Sequence, residues 1–385
     1  MRVGLVIYGS IETPTGGYFY DRMLVEHLRR EGAEVEIISL PPRTYGRHLL
    51  DNFSPTLLRR LRRADFDVLI QDELNHPSLF LINRMLLGRV RYPMVALVHV
   101  LRSCEAYPAW QKWLYRRAEK WYLTSVDGLI FNSQTTRKAV EEQAGRGRPG
   151  VVAPPGRDHL PPAITREEVA ARARRPGPLH ILFVGNVLPF KGLHVLIEAL
   201  ASIPPGDWHL TVIGSLTMNR GYVNTVRRQI ARSGLGGNVT LPGALPHAEV
   251  ARHLARSHLL AVPSFYEGFG IVYLEALGFG LPVIASTAGG AREIITHGRE
   301  GLLVAPGEAA ALARHVRELS LDRERLLRMS LAARERYAAH PTWAESMGRI
   351  SEFLQTLSGA RSHEGTCRVG DGLMVNSHSA QRGVE

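Results

Sequence analysis

The chain has 385 residues, more than one hydrophobic core usually serves, so two domains are expected. Its hydrophobic share of 45% and charged share of 22% are ordinary for a soluble globular protein, and no apolar run approaches the length of a membrane span. Cys104 and Cys367 stand far apart, which excludes a disulfide framework and a cysteine metal cluster and is typical of a reducing cytoplasm. The formal net charge of +11 suits an anionic partner: a nucleotide, a nucleic acid or an acidic lipid.

The first half of the chain alternates short apolar runs with segments of helical periodicity. The apolar run at 3–8 is too short for a signal peptide and predicts a first buried strand. Further strands are predicted at 35–40, 67–70, 94–99 and 129–132. Helices are predicted between them, near 19–32, 56–63, 77–87, 110–124 and 135–143. This order of elements indicates a parallel sheet that is covered by helices on both faces.

A break rich in proline, alanine and arginine follows, and we interpret residues 158–178 as a linker that contains a short helix. The alternation then restarts, with strands at 181–184, 210–213, 239–241, 259–262 and 283–285 and helices near 193–200, 222–233, 247–257 and 270–278. Two doubly wound α/β domains are therefore predicted, at 1–157 and 179–342. A last helix is expected at 343–357, and the polar, aperiodic residues 358–385 are expected to be disordered.

The clearest chemical pattern lies in residues 264–276, which follow a predicted strand. Glu267 stands directly before a Gly-Phe-Gly turn, and Glu275 lies eight positions further on. Gly268 and Gly270 have no Cβ, so the backbone can come close to a ligand. The free N–H groups at the start of the following helix favour an anion such as phosphate.

This stretch resembles the signature of family 4 glycosyltransferases, in which two glutamates are separated by seven residues. The resemblance covers about Met1 to Leu357 and is strongest from Gly185 to Pro306. It implies the GT-B fold, in which two Rossmann-like domains face each other across a cleft and the helix at 343–357 packs back on the first domain. It also implies retaining transfer of a sugar from a nucleotide-diphosphate sugar to a glycan, lipid or small-molecule acceptor, with no cofactor and no metal.

The resemblance also assigns roles to residues at predicted strand ends, where ligands of open α/β sheets bind. It implies that Glu267 contacts the hydroxyls of the donor sugar and that Glu275 holds the nucleotide ribose. Lys191, just before a helix, and His99, at a strand end, complete the expected catalytic group with Glu267. The expected donor-binding residues are Gly16, Gly17, Asn186, Lys191, Gly268, Phe269, Gly270, Ile271, Val272 and Glu275.

Asn186 departs from the family pattern, which has an arginine there and a lysine five positions later, where this chain has Lys191. An asparagine offers the donor's diphosphate only a neutral amide, so one charged contact is in question. Either the chain works with a weaker phosphate clamp, which we favour, or another cation such as Arg157 or Arg220 fills the place.

Aromatic and basic residues are interleaved in 110–122, and four arginines lie within 59–63 of the same domain. A helix of this composition can lie on an anionic membrane surface. The alternative is a core helix whose Trp and Tyr side chains face the sheet while Lys and Arg face water. Because many members of the resembled family glycosylate lipids, we keep the hypothesis that the acceptor lies in the membrane.

Other functions fit parts of the same pattern. A GT-B sugar-nucleotide epimerase would share the fold, and the departure at Asn186 is the feature that suggests a non-catalytic protein that binds sugar nucleotides. A nicotinamide dehydrogenase is disfavoured, because no G-x-G-x-x-G follows the first strand of either domain. We expect a cytoplasmic protein that binds a nucleotide sugar and no nucleic acid, either free or peripheral on the inner face of the membrane.

Overall fold

Two six-stranded sheets organise residues 1–370, which are the residues that this computed structural model describes. The strands are β1 (Arg2–Tyr8), β2 (Glu34–Leu40), β3 (Val68–Asp72), β4 (Met94–Val98), β5 (Gly128–Phe131), β6 (Gly150–Val152), β7 (Leu179–Val184), β8 (Trp208–Ile213), β9 (Val239–Gly243), β10 (Leu259–Val262), β11 (Val283–Ser286) and β12 (Gly301–Val304). The first sheet has the order β2-β1-β3-β4-β5-β6, and the second has the order β12-β11-β10-β7-β8-β9. Neighbouring strands pair in parallel.

Helices connect these strands and cover both sheets. They are α1 (Gly16–Arg30), α2 (Tyr45–His48), α3 (Pro55–Arg63), α4 (His76–Leu86), α5 (Ala109–Leu123), α6 (Gln134–Ala144), α7 (Arg166–Arg174), α8 (Leu193–Ala201), α9 (Arg220–Arg232), α10 (His247–Arg256), α11 (Ile271–Gly278), α12 (Ala291–Ile294), α13 (Ala309–Leu321), α14 (Arg323–Ala338) and α15 (Trp343–Gly370). The prediction of two doubly wound α/β units is confirmed. The short edge strands β6 and β12, of three and four residues, were not predicted.

Each sheet has a point at which the direction of winding reverses. In the first sheet this point lies between β1 and β3, and in the second it lies between β7 and β10. The loops that follow such a pair of strands diverge to opposite faces and leave a crevice at the carboxyl edge, where ligands of doubly wound folds bind. The fold therefore brings the loops after β1, β3, β7 and β10 to the positions where a site is expected.

The segment 158–178 is not a free linker, because α7 inside it is part of the second domain. Arg172 of α7 is buried and donates hydrogen bonds of 2.8 to 3.3 Å to four backbone carbonyls, those of Leu254, Ala255, Phe279 and Gly280. Burial, with a smaller contribution from Arg334, lowers the pKa of the Arg172 guanidinium to about 10. A buried guanidinium with four acceptors fixes this segment to two elements of the second domain.

The last helix, α15, crosses back to the first domain. Its buried residues Trp343, Met347, Ile350 and Leu354 belong to the same apolar cluster as residues of β1 and α1. The helix continues to Gly370, so the disorder predicted from 358 is wrong for residues 358–370. That stretch contains no proline, and each added residue extends the helix by one backbone hydrogen bond. Residues 371–385 lie outside the described part of the chain.

Within residues 1–370, none of the helices combines the length and the apolar character that a membrane-spanning segment needs.

Candidate active site

The predicted site residues share one location, because they follow the carboxyl ends of β1, β4, β7 and β10 and meet at the cleft between the domains. The first domain contributes Gly16, Gly17 and His99, and the second contributes Asn186, Lys191 and residues 267–275. A Cβ added to Gly16 would lie 3.8 Å from Ile271 Cδ1, so the loops of the two domains are almost in contact.

An ion pair joins two loops of the second domain at the centre of this site. Lys191 Nζ lies 2.6 Å from Glu267 Oε2, and the two side chains are only 18% and 17% exposed. Ser264 Oγ donates to the same carboxylate oxygen at 3.2 Å. The loop backbones are also joined, since Phe265 N donates to the carbonyl of Phe190 at 2.7 Å. A pair of charges largely shielded from water is therefore held between the loops that follow β7 and β10.

The first turn of α11 supplies backbone N–H groups beside this pair. The helix begins at Ile271, and Gly270 before it has a φ of 97°, a left-handed conformation that favours glycine. Tyr273 N donates to the carbonyl of Gly270 at 2.9 Å, which leaves the N–H groups of Ile271 and Val272 without an acceptor inside the helix. These two amides carry the partial positive charge of a helix N-terminus.

Glu275 lies one turn inside α11 and contacts a residue that sequence reasoning missed. Its Oε1 atom is 2.6 Å from His159 Nε2, and Trp343 Nε1 donates to His159 Nδ1 at 3.3 Å. Because the indole N–H can only donate, His159 carries its proton on Nε2 and donates to Glu275. One oxygen of the Glu275 carboxylate is thus engaged by the segment predicted as a linker, and no local sequence signal could have indicated this contact.

His99 is paired with Asp21, another residue that sequence reasoning missed. His99 Nε2 donates to Asp21 Oδ1 at 2.9 Å, and the Asp21 side chain is fully buried. A Cβ added to Gly17 would lie 3.3 Å from the His99 ring, so α1 packs directly on this histidine. Asp21 stands one helical turn after Gly17 on the same face of α1, and that spacing could have indicated it.

Asp72, at the end of β3, is a further titratable group beside His99. Burial and the nearby Asp21 raise the pKa of Asp72 well above its usual range. Burial lowers the pKa of His99, but the Asp21 carboxylate and its hydrogen bond, together with Asp72 and Glu73, outweigh burial, so the net shift is upward. The ligand atoms of Asp21, Asp72 and His99 lie within 4.8 Å of one another, so of the described residues at the cleft these are the ones that could hold a metal ion.

Asn186 links the two domains. Its Nδ2 atom donates to the carbonyl of Pro14 in the first domain at 3.2 Å, and its Oδ1 atom accepts from Ser215 N at 3.1 Å. At the position where the family pattern has an arginine, this chain therefore has a side-chain amide that bridges the two domains. Arg157, one of the alternative cations, donates to the carbonyl of His340 instead.

Further contacts, made by Gly268 and by Glu293, hold the domains together across the cleft. A Cβ added to Gly268 would lie 2.3 Å from the carbonyl oxygen of His99, and Ser133 Oγ donates to the carbonyl of Gly268 at 3.0 Å. The Glu293 carboxylate accepts from Gln134 N at 2.9 Å and from Thr135 N at 2.6 Å, the first amides of α6. A carboxylate at a helix N-terminus is a favourable charge arrangement, so Glu293 fastens the second domain to the first.

Two family models match the chain in succession. The model described as a glycosyl transferase 4-like domain matches residues 13–156, and the model described as glycosyl transferases group 1 matches residues 165–336. The chain belongs to the family 4 glycosyltransferases. The second match begins just before α7, in agreement with the place of α7 in the second domain.

Named relatives and a solved structure agree with this membership. The glycogen synthase of Mycobacterium tuberculosis is 29% identical over 295 residues, which cover 74% of this chain and 69% of the relative. A GDP-mannose-dependent alpha-(1-6)-phosphatidylinositol monomannoside mannosyltransferase of the same organism is 31% identical over 249 residues, 61% of this chain and 63% of the relative. The structure of Anabaena HepE in complex with UDP-glucose has a TM-score of 0.74 at 21% identity and covers 92% of this chain and 100% of that chain. This glycosyltransferase therefore has the GT-B fold.

The hydrogen bond between Asp21 and His99 leads to a testable prediction about the pKa of His99. Asp21→Asn removes the carboxylate that favours the charged imidazolium, so the pKa of His99 should fall. Asp72→Asn should lower it by less, because Asp72 acts on His99 only through space. The measurement is an NMR titration of the histidine ring signals.

Asp65→Asn is the control, since that side chain is 90% exposed and pairs with Arg2 far from the cleft. An unchanged His99 pKa in Asp21→Asn would show that this carboxylate does not govern the histidine.

Proposed function

We propose that this enzyme transfers a sugar from a nucleotide-diphosphate sugar with retention of the anomeric configuration. The observation that carries the proposal is the Lys191–Glu267 pair at the winding reversal of the second domain, directly before the free amides of α11. A cation and helix amides can bind the negative diphosphate of the donor. A carboxylate next to them can contact the sugar that is transferred from that diphosphate.

The diphosphate would bind between Lys191 and the N–H groups of Ile271 and Val272. The cation and the helix N-terminus stabilise negative charge that grows on the leaving phosphate as the bond to the sugar breaks. With these groups present, we propose that transfer needs no bound metal. Asn186 takes no phosphate contact in this account, because its amide is used between Pro14 and Ser215.

Glu267 would contact the hydroxyls of the donor sugar and stabilise the positive charge that develops on the ring at the transition state. Glu275 would hold the ribose hydroxyls through Oε2, since its Oε1 atom accepts from His159. A rigid second carboxylate fixes the nucleotide while the sugar reacts.

The first domain would close the site over the sugar and present the acceptor. Because Nε2 of His99 is hydrogen-bonded to Asp21, the other ring nitrogen, Nδ1, is the one that can form a hydrogen bond with a sugar hydroxyl. Gly16 and Gly17 would let the backbone of α1 approach the donor. The leaving phosphate can take the proton of the acceptor hydroxyl, so no separate strong base is required.

The named proteins support a nucleotide-sugar donor, while they differ in acceptor. The solved HepE complex contains UDP-glucose, and the mannosyltransferase is named as dependent on GDP-mannose. The names of the glycogen synthase and the mannosyltransferase point to very different acceptors, so the acceptor of this chain does not follow from them. The nucleotide base does not follow either, because one named donor contains uracil and the other guanine. None of these proteins supports an epimerase or a non-catalytic binding protein.

The roles of the two glutamates lead to different kinetic predictions. Glu267→Gln keeps the shape but removes the charge, so kcat should fall by about 10²–10³, or about 3–4 kcal/mol in the transition state. Glu275→Gln should mainly weaken donor binding, because the ribose does not react. The measurements are donor turnover and nucleotide affinity by calorimetry.

Glu324→Gln is the matched control, because Glu324 forms an exposed ion pair with Arg174 and should change turnover little. Wild-type turnover by folded Glu267→Gln would contradict the assignment of Glu267.

The helix α5 carries an exposed aromatic face, and the alternative of a core helix is wrong for these tryptophans. Trp110, Trp113 and Trp121 are 64%, 57% and 45% exposed, and Leu114 beside them is 47% exposed. Arg117 lies on the same face, with its guanidinium 5.1 Å from the centre of the Trp113 ring. We call the set Trp110, Trp113, Leu114, Arg117 and Trp121 the tryptophan face.

Further apolar side chains are exposed elsewhere in the first domain. Leu50 and Phe53 are 65% and 74% exposed, and Met85 and Leu87 follow in and after α4. Tryptophan with arginine and lysine is the composition of surfaces that lie in the interface of an anionic membrane. We propose that the tryptophan face docks on anionic lipid and brings the first domain to an acceptor in that membrane.

Vesicle binding tests this surface. Replacing Trp110, Trp113 and Trp121 with Ser should weaken binding to anionic vesicles by about tenfold or more, because aromatic side chains leave the interface. Wild-type binding should also weaken as salt screens the basic residues. Sedimentation with vesicles of anionic or neutral lipid measures both effects.

Met218→Ser with Leu321→Ser removes two exposed apolar side chains of the second domain and serves as the control. Equal binding of the wild type to neutral vesicles, or no loss in the tryptophan variant, would refute membrane docking by this face.

A further inference from the structure

A second cationic group lies on the first-domain side of the cleft, and the function proposed above gives it no role. Arg102 begins a short 3₁₀ helix, Arg102–Cys104, three residues after His99. Its guanidinium carbon lies 5.3 Å from the ring centres of Tyr45 and Tyr107 and 5.1 Å from that of Tyr115. We call Arg102 with these three tyrosines the arginine cup.

The guanidinium in the arginine cup has aromatic neighbours but lacks an acid partner among the described residues. No ion pair of residues 1–360 includes Arg102, and its buried Nε atom has no hydrogen-bond acceptor there. Glu105 acts on Arg102 electrostatically but forms no ion pair with it, and its carboxyl group is hydrogen-bonded to Tyr107. A partly exposed guanidinium with unused donors is suited to bind an anion that enters from the cleft.

The turn that carries Arg102 is tied to the donor side of the site. Cys104, two residues after Arg102, shares a side-chain hydrogen bond with Tyr266 of the second domain. Tyr266 directly precedes Glu267, which is proposed to contact the reacting sugar. An anion held by Arg102 would therefore lie between His99 and Glu267 on one side and α5 on the other, since Tyr115 belongs to α5.

We propose that the arginine cup is an acceptor subsite for a phosphate group, so that the enzyme glycosylates a phosphate-bearing molecule. The inference rests on the proposed function, because it treats the first domain as the acceptor side. The planar guanidinium can bind two phosphate oxygens at once. Two of the three tyrosine hydroxyls are already engaged, that of Tyr45 with His76 and that of Tyr107 with Glu105, so the guanidinium is the group that would hold the phosphate. The phosphate can belong to a soluble phosphorylated polyol or to a phospholipid headgroup.

Calorimetry with the full chain tests the subsite. A saturating nucleoside diphosphate, UDP or GDP, first fills the donor site so that added phosphate cannot bind there. Inorganic phosphate, D-inositol 3-phosphate and uncharged myo-inositol are then titrated. The wild type should bind the phosphorylated polyol at least tenfold more tightly than the uncharged one, and Arg102→Gln should remove most of that difference.

Two variants separate this role from a structural one. Arg102→Lys keeps the charge but loses the bidentate geometry, so it should retain part of the preference for phosphate. Arg84→Gln removes another arginine that packs on an aromatic ring, that of Trp121, and should leave the preference unchanged. Vesicles of phosphatidylinositol and of phosphatidylcholine, in the same variants, show whether the phosphate source is a lipid headgroup.

The outcomes are distinct. Equal affinity of the wild type for the charged and the uncharged polyol, with no dependence on Arg102 in vesicles, overturns the subsite. So does a lower melting temperature of Arg102→Gln with an unchanged preference, which would show that Arg102 only holds the tyrosines together. Failure of the proposed function is seen separately, as a wild type that does not turn over nucleotide sugars.

Discussion

The ion pair between Lys191 and Glu267 is the interaction on which the active-site geometry depends. The two residues lie in loops that follow β7 and β10, neighbouring strands at the winding reversal of the second sheet. A Cβ added to Gly192 would lie 2.2 Å from the carbonyl oxygen of Pro263, so the two loops pack backbone against backbone. The pair therefore combines a cation and a carboxylate, the groups proposed to contact the diphosphate and the sugar, in one rigid unit beside the amides of α11.

The first domain is positioned on this unit by contacts that leave no room for larger side chains. Gly268 packs against the backbone of His99, and Glu293 engages the first amides of α6. These contacts link the chemistry of the second domain to the groups of the first: the histidine held by Asp21, the arginine cup and the tryptophan face. In the proposals above, the histidine contacts the sugar, the arginine cup binds a phosphate of the acceptor, and the tryptophan face docks on the membrane that contains that acceptor.

The fold could be predicted from the sequence, and so could the residues that meet at the candidate site, because both depend on local patterns. Apolar runs and helical periodicity indicated the central strands, and motifs at their ends indicated Lys191, Glu267 and Glu275. The pairing of Glu275 with His159 could not be predicted, because the two residues are 116 positions apart and no local pattern links them. Asp21 is 78 residues from His99, and only its position one helical turn after Gly17 offered a signal. Composition was also insufficient to show which way the tryptophans of α5 face, since exposure depends on packing against α4.

The boundary between the domains was also hard to predict from local sequence. Residues 158–178 have the composition of a linker, yet Arg172 finds four carbonyl acceptors from two other elements of the second domain. Asn186, where the chain departs from the family pattern, contacts Pro14 and Ser215, which only the folded chain brings near. In each case a long-range contact gives a residue a role that its neighbours in sequence do not indicate.

The most direct test of this account is a double-mutant cycle on Lys191→Met and Glu267→Gln, with kcat/KM for the donor as the measured quantity. If the two side chains act as one unit, removing the second after the first should cost much less than removing it alone. We expect a coupling energy of about 1.5–3 kcal/mol. Effects that add to within about 0.5 kcal/mol would show that the two residues act independently and would contradict the central claim.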